Sequence, residues 1–427
     1  MKARRLLFVR VFLKLFGLHQ SRPLTHLWSL TALCALSLTT PVAAGANEAS
    51  ATAPKATQKS ANKDHKATAK PGHNAGAHHA AANKPAGHKS GKPAAAGKHK
   101  KSAHKTPKGT AFGATPEVQA LAAQLASQHA LPQSWVEQQL SNAQRLPGVP
   151  QLVLPPPVSS PKNWRAYRER FVEPIRIQAG VRFWQRHRDA LARAEKIYGV
   201  PAEMVVGILG VETLYGQHQG NYRVLDALTT LSLNFPPEHP RAAEREAFFK
   251  SELGYFLLQM RQQPAGAPPI TGSFAGAMGW PQFMPSSWAK FAVDFDGDGR
   301  IDLLNNPVDA IGSVANYFKA FGWQTDMPTH YPVQFDESRL DKAALLAPDI
   351  LPTFSVANFT AKGAVLEGAA LQHKGPLALV ELFNGTDAPS YVAGTDNFYV
   401  VTRYNWSSYY ALAVIELGQA VKAALPN

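Results

Sequence analysis

Cysteine is nearly missing from this chain of 427 residues: the one present is Cys34. A lone thiol cannot build a disulfide framework or a Cys-rich zinc site, which removes both as sources of stability. Acidic residues are nearly missing from the first 108 positions, where Glu48 and Asp64 stand against six Lys or Arg up to Ala46 and thirteen Lys from Asn47 to Lys108. The net charge of +14 is therefore a property of that segment, and about −3 remains for everything after Lys108. A near-neutral remainder carries no electrostatic footprint for nucleic acid, which is excluded as an expected partner. Long apolar runs are scarce too, since Leu27 to Leu38 is shorter than the roughly 20 residues that a spanning helix needs.

That run follows a basic stretch (Lys2, Arg4, Arg5, Arg10, Lys14) and precedes the small-residue triplets Val42-Ala43-Ala44 and Ala44-Gly45-Ala46, the layout of an export signal over 1–46. A cleaved signal fits so short a run better than a retained anchor, although the sequence leaves both open. Cys34 follows Thr31-Ala32-Leu33, where a lipid-attachment signal wants a small residue immediately before cysteine, so the chain does not read as a lipoprotein. From 47 to 110 the composition is Ala, Lys, His, Gly and Pro, with too little apolar surface to offset chain entropy, and a disordered linker is expected. Its seven histidines (His65, His73, His78, His79, His88, His99, His104) keep no metal-site spacing, so a cationic tether touching anionic wall polymer is the simpler reading.

The texture turns globular afterwards. Thr115-Pro116-Glu117 offers a cap and a first turn, followed by Val118, Leu121 and Leu125 at helical spacing. A proline-rich link gives way to a long helical pattern through Trp164, Tyr167, Phe171, Phe183, Trp184 and Leu191, and helices are expected to dominate 111–330. Over 331–403, short runs (Tyr331 to Phe335, Leu377 to Leu382, Phe398 to Thr402) between Gly, Asn and Asp predict a small antiparallel sheet. A closing helix from about Ser407 to Ala424, within 404–427, is predicted to lie on the helical part. The fold class is thus mainly α with a small β part.

Three motifs carry chemistry. In Val200 to Gly216, Met204, Val205, Ile208 and Leu209 make one apolar helix face, and Glu212 falls on its continuation. A carboxylate there is costly unless it is paired or used. One reading is a buried ion pair with an arginine; the other is an acid kept protonated by apolar surroundings, as glycosidic-bond cleavage requires. In Ser273 to Trp288, small residues surround Trp280 and Gln282, which suits a backbone close to a sugar. Its plainer reading is a loop leading into a helix capped by Ser286. In Asp294-Phe295-Asp296-Gly297-Asp298-Gly299-Arg300, carboxylates at positions one, three and five, glycine at six and a carbonyl at seven match an EF-hand calcium loop. Position twelve is Asn305 instead of glutamate, leaving Asp309 to close the site, with a structural role for the ion.

With these motifs in order, the chain from about Trp164 to its end resembles the lytic murein transglycosylases of type B, membrane-bound and soluble. The matching blocks include Gly210-Val211-Glu212-Thr213, Tyr222 to Leu228, Gly272 to Gly279, Gln282 to Ser287, the aspartate loop, Pro307 to Phe318, Thr402-Arg403-Tyr404-Asn405 and Tyr410-Ala411. The resemblance implies a goose-lysozyme-like helical core, an N-terminal helical subdomain, an EF-hand-like loop and a small β subdomain. It implies cleavage of the β-1,4 bond between N-acetylmuramic acid and N-acetylglucosamine with a 1,6-anhydro product, and Glu212 as the one acid and base. By position it assigns Ser273, Gln282, Tyr317, Tyr404, Asn405 and Tyr410 to glycan binding. It assigns Asp294, Asp296, Asp298, the Arg300 carbonyl and Asp309 to calcium, with no cofactor for catalysis.

The family's adjacent arginines are split here. Arg241 and Arg245 stand four apart in an inserted stretch, where they are expected to face the peptide stem. Asp226, the candidate for a hidden second carboxylate, reads as structural because its block is small and apolar. With one carboxyl group the substrate must supply its own nucleophile, and intramolecular attack has the effective molarity to do so. The resemblance further implies a periplasmic monomer acting on peptidoglycan glycan strands and open to cell-wall synthesis or divisome proteins as partners. A hydrolytic muramidase on the same scaffold and a non-catalytic, calcium-stabilised wall-binding protein are the alternatives.

Overall fold

The computed structural model describes residues 109–155, 161–264 and 266–426; the segments read above as export signal and linker lie outside them, apart from Gly109 and Thr110. Thr115 caps α1 (Pro116–His129), its hydroxyl accepting the Val118 N–H at 3.4 Å, and α2 (Gln133–Asn142) and α3 (Val149–Leu152) follow. The helical pattern expected from Trp164 to Leu191 is broken into α4 (Trp164–Arg168), α5 (Pro174–Arg186) and the start of α6 (Arg188–Tyr198). The first break has a clear cause, because Glu173 turns its carboxylate onto the Ile175 and Arg176 N–H groups and Pro174 opens a new helix.

Next come α7 (Ala202–Thr213), β1 (Tyr222–Arg223), α8 (Val224–Leu233), α9 (Ala242–Gln262), β2 (Thr271–Gly272), α10 (Pro285–Phe291) and α11 (Pro307–Ala320). Pro201 sits one residue ahead of α7 and not inside its first turn. The remainder alternates: β3 (His330–Pro332), β4 (Gln334–Phe335), α12 (Lys342–Leu346), α13 (Val356–Ala361), β5 (Ala364–Val365), β6 (Ala378–Asn384), β7 (Asp387–Gly394), α14 (Asp396–Thr402) and α15 (Ser408–Ala423). All pairings are antiparallel, as β1–β2, β3–β7–β6 and β4–β5. The strand expected at Phe398–Thr402 is instead α14, because the Thr395 hydroxyl accepts the Asn397 N–H at 3.1 Å and Asp396 occupies the first turn. Those caps outweigh the β propensity of Val400 and Val401.

Three apolar cores result. One joins α1 to α3 with α8, α9 and the 275–284 loop; one lies under the small sheet around Leu345, Phe359 and Leu379; the largest surrounds α7. Every residue of α7 except Glu203 is buried, and α15 lies along it so closely that the Val414 carbonyl occupies the space a Cβ on Gly207 would need. Glu212 and Thr213, at the end of this helix, are buried with it. Among the described residues no helix is long and apolar enough to cross a membrane.

Candidate active site

Glu212 stands one residue before the C-terminus of α7 and is 4% exposed. Its Oε1 accepts the Tyr410 hydroxyl at 2.5 Å, and its Oε2 is buried without a partner. Burial pushes its pKa up to about 8, with the Tyr410 hydrogen bond pulling the other way. No ion pair involves it among the described residues, so the buried arginine pair is not formed. No second carboxylate contributes to that shift.

The turn after Glu212 is unusual. Leu214, Tyr215 and Gly216 are all left-handed, at φ 49°, 54° and 80°. Two non-glycine residues there cost energy that the surroundings must offset. Thr213 supplies the clasp: its hydroxyl donates to the Trp280 carbonyl at 2.9 Å and accepts the Gly216 N–H at 2.9 Å. Trp280 then lies against Gly216, where a Cβ would come within 2.5 Å of the indole. Gly216→Ala is expected to cost about 3 kcal/mol through strain and overpacking, read by urea denaturation, with a shifted Trp280 emission. An unchanged midpoint would show that the indole does not rest there.

The second motif folds as a tight loop. Met278 bridges both Gly272 and Phe283, Gln282 is left-handed at φ 50°, and the Ser273 hydroxyl accepts the Ala277 N–H at 3.0 Å. Gln282 donates its amide to the Gln219 and Gly279 carbonyls at 3.1 and 2.9 Å. Tyr404 donates to the Pro281 carbonyl at 2.6 Å and stacks on Tyr410, while Tyr317 donates to the Arg403 carbonyl at 2.7 Å. The hydroxyls of Tyr317 and Tyr404 thus each donate to a backbone carbonyl, and both rings are buried; Asn405 lies half-buried in the turn beyond Tyr404. Ser286 does not cap α10: it lies inside the first turn, and the cap is the Glu252 carboxylate of α9. Asp226 is likewise structural, its Oδ1 accepting the Gln144 N–H at 2.8 Å and an Arg223 N–H at 3.1 Å.

Arg241 and Arg245 differ in state. Arg241 forms an ion pair with Glu244, whereas Arg245 is 6% exposed, lies over the Phe248 and Phe249 rings and has its pKa lowered to about 10, first by burial. The aspartate loop brings carboxylate oxygens of Asp294, Asp296 and Asp309 within 4.8 Å of one another. Asp309 is fully buried and accepts the Phe295 and Asp302 N–H groups at 2.7 and 2.8 Å. Asp298 stands outside that trio and accepts the Arg300 N–H, and Asn305 turns to Asp302. An all-oxygen donor set of this charge suits a hard cation such as Ca2+.

Residues 113–419 match the family described as Transglycosylase SLT domain. The chain belongs to the transglycosylase SLT family. It is 40% identical over 329 residues to membrane-bound lytic murein transglycosylase B of Escherichia coli K12, spanning 73% of this chain and 84% of that protein. Soluble lytic transglycosylase SltB1 of Pseudomonas aeruginosa is similar in structure, with 39% identity, a TM-score of 0.63 and coverage of 72% of this chain and 99% of that one. The Escherichia coli lytic transglycosylase SLT35, solved in complex with calcium, aligns with 40% identity and a TM-score of 0.62 over 74% of this chain and 96% of that one.

As a member of this family the chain is an enzyme, a peptidoglycan lytic transglycosylase, on the lysozyme-like fold. For such an enzyme the structure adds a residue that the motifs did not reveal. Tyr167, on α4, has its pKa raised by burial and then by the charge of Glu212, which places it within electrostatic reach of the acid. Its ring packs on Trp164, Phe171 and Tyr409, so in the sequence it is indistinguishable from an ordinary core aromatic.

Proposed function

We propose that this enzyme cuts the β-1,4 bond between N-acetylmuramic acid and N-acetylglucosamine and closes the muramyl end as a 1,6-anhydro ring, using Glu212 for both proton transfers. Glu212 gives its proton to the departing oxygen of N-acetylglucosamine as the muramyl C1–O bond breaks. The muramyl acetamido oxygen supports C1, then the C6 hydroxyl oxygen bonds to C1 and its proton returns to Glu212. No water is consumed. The observation that carries this reading is the buried Glu212 carboxyl, with its pKa pushed up to about 8 and no second carboxylate among the described residues contributing to that shift. Ordinary glycosidases place two about 5 to 9.5 Å apart.

Tyr410 holds the Glu212 carboxyl through Oε1, which leaves Oε2 for the proton in flight. Ser273, Gln282, Tyr317, Tyr404, Asn405 and Tyr167 line the glycan side in this reading, and Arg245, with Arg241 beside it, meets a stem carboxylate. Asp294, Asp296 and Asp309, helped by Asp298 and the Arg300 carbonyl, hold a structural Ca2+, which ties the loop to the start of α11. The first 46 residues export the enzyme to the periplasm, where the 47–110 segment serves as a tether.

Mass spectrometry of soluble products from purified sacculi tests the reaction. Anhydro-muropeptides, lighter than hydrolysed ones by one water, are expected as the main products. A product mixture dominated by reducing muramyl ends would make the enzyme a muramidase and overturn the ring-closing step.

A further inference from the structure

Glu252 has no part in the chemistry above, yet it is one of the few buried acidic or basic side chains among the described residues, at 3% exposure. It lies in the middle of α9 and reaches across to α10, where its Oε2 accepts the Ser286 N–H at 2.8 Å and its Oε1 accepts the Ser286 hydroxyl at 2.6 Å. The residue at the cap position of α10, Met284, supplies no side-chain hydrogen bond. Without Glu252 the half-buried Ser286 N–H and hydroxyl in the first turn of α10 would lose this partner.

What lies directly before that turn gives the contact its meaning. Phe283 and Met278 exchange backbone hydrogen bonds at 2.9 and 3.0 Å, and between them run Trp280, Pro281 and left-handed Gln282. The far side of this loop is held by Thr213, the neighbour of Glu212, through the Trp280 carbonyl, and by Tyr404 through the Pro281 carbonyl. The loop is therefore clamped at one end by the acid's own helix and leads at the other into α10, whose first turn is held by the buried Glu252 carboxyl of α9. Helix α9 also carries Arg245, so one rigid element bears on both the glycan wall and the basic side chain.

We propose that Glu252 is a positioning residue for the reaction: by holding Ser286 it fixes the Trp280–Phe283 loop relative to Glu212. The proposal rests on the assignment of that loop to the glycan. Displacing a reacting group by about 1 Å can cost roughly 100-fold in rate, so a small slip of α10 is enough to be seen.

The test is steady-state kinetics on soluble glycan strands, well below the melting temperature, with Glu252→Ala, Glu252→Gln and Ser286→Ala. In Glu252→Ala, kcat/KM per folded molecule is expected to fall about 10- to 100-fold, mostly in kcat. The alkaline limb set by Glu212 at about pH 8 should not move. Glu252→Gln should recover most of the rate, because its amide oxygen still accepts the Ser286 N–H and the serine hydroxyl can rotate to accept. Ser286→Ala should show a smaller loss that does not add to that of Glu252→Ala. Parent-level kcat/KM in folded Glu252→Ala overturns the proposal, as does a moved alkaline limb, which would put Glu252 in proton transfer. Should Glu252→Ala not fold, parent-level kcat/KM in Ser286→Ala overturns it alone. Glu212→Gln is assayed alongside: activity surviving there defeats the assignment of the acid, and a parent-level affinity of Glu252→Ala for N-acetylglucosamine tetramer, with Trp280 emission unmoved by that sugar, defeats the assignment of the loop.

Discussion

Glu212→Gln is expected to release muropeptides from sacculi about 10⁴-fold more slowly than the parent enzyme while still binding them, since general acid–base groups contribute up to about that factor and this one serves both steps. The substitution keeps the shape, and the glutamine amide oxygen can still accept the Tyr410 hydroxyl that now binds Oε1. What disappears is the transferable proton. Unchanged release would sink the mechanism outright. The same carboxyl predicts a second signature. Its folded pKa, up at about 8, lies above the ordinary value of 4.5, so the native state holds the proton more tightly than the unfolded chain does. The resulting stability is fully present below pH 4.5, decreases by up to about 1.4 kcal/mol per pH unit above it, and is gone once the pH has passed the folded value. Thermal unfolding at pH 5 and pH 9 should therefore show the glutamine variant gaining on the parent as the pH rises. The parent's rate should fall along an alkaline limb near pH 8 as the acid loses its proton.

The sequence made the position of this acid legible because helix periodicity is local: Ile208, Leu209 and Glu212 share a face whatever surrounds them. The partner that orients it was legible only by resemblance, since Tyr410 is 198 residues away and nothing near it in the chain marks its hydroxyl as different from that of Tyr404. Glu252 and Tyr167 were not legible at all. One sits in a helix of ordinary composition and the other in an aromatic cluster, and only packing across elements shows what each touches. The misread strand at Phe398–Thr402 has a related cause. A run of Phe, Tyr and Val fits a buried strand and a buried helix equally well, and the deciding signal was the Thr395 cap just before it. Ser286 shows the converse, a residue with good capping chemistry that occupies the first turn and is itself capped from another helix.

Asp309→Asn should unfold more easily than the parent and lose its response to calcium. The side chain is fully buried, and its two oxygens accept N–H groups from Phe295 and Asp302 at 2.7 and 2.8 Å, so it joins the start of α11 to both halves of the loop. An amide there presents an NH2 to one of those donors, leaving a buried N–H unsatisfied at a cost of about 3 kcal/mol even before any ion is considered. Burial raises the Asp309 pKa and the neighbouring Asp296 adds to that, while the two N–H donors oppose it. Carboxylates crowded in this way repel one another, and a divalent cation reverses the sign of that interaction. Calcium at 100 times its dissociation constant should stabilise the parent by about 2.7 kcal/mol, or roughly 5 °C in melting temperature, relative to the protein in a chelator. The asparagine variant should melt at one temperature in both conditions. Circular dichroism melts of the two proteins, with chelator and with excess calcium, decide the point: a parent that melts identically in both would leave the loop a knot of Asx turns, stabilised by its own N–H donors and needing no ion.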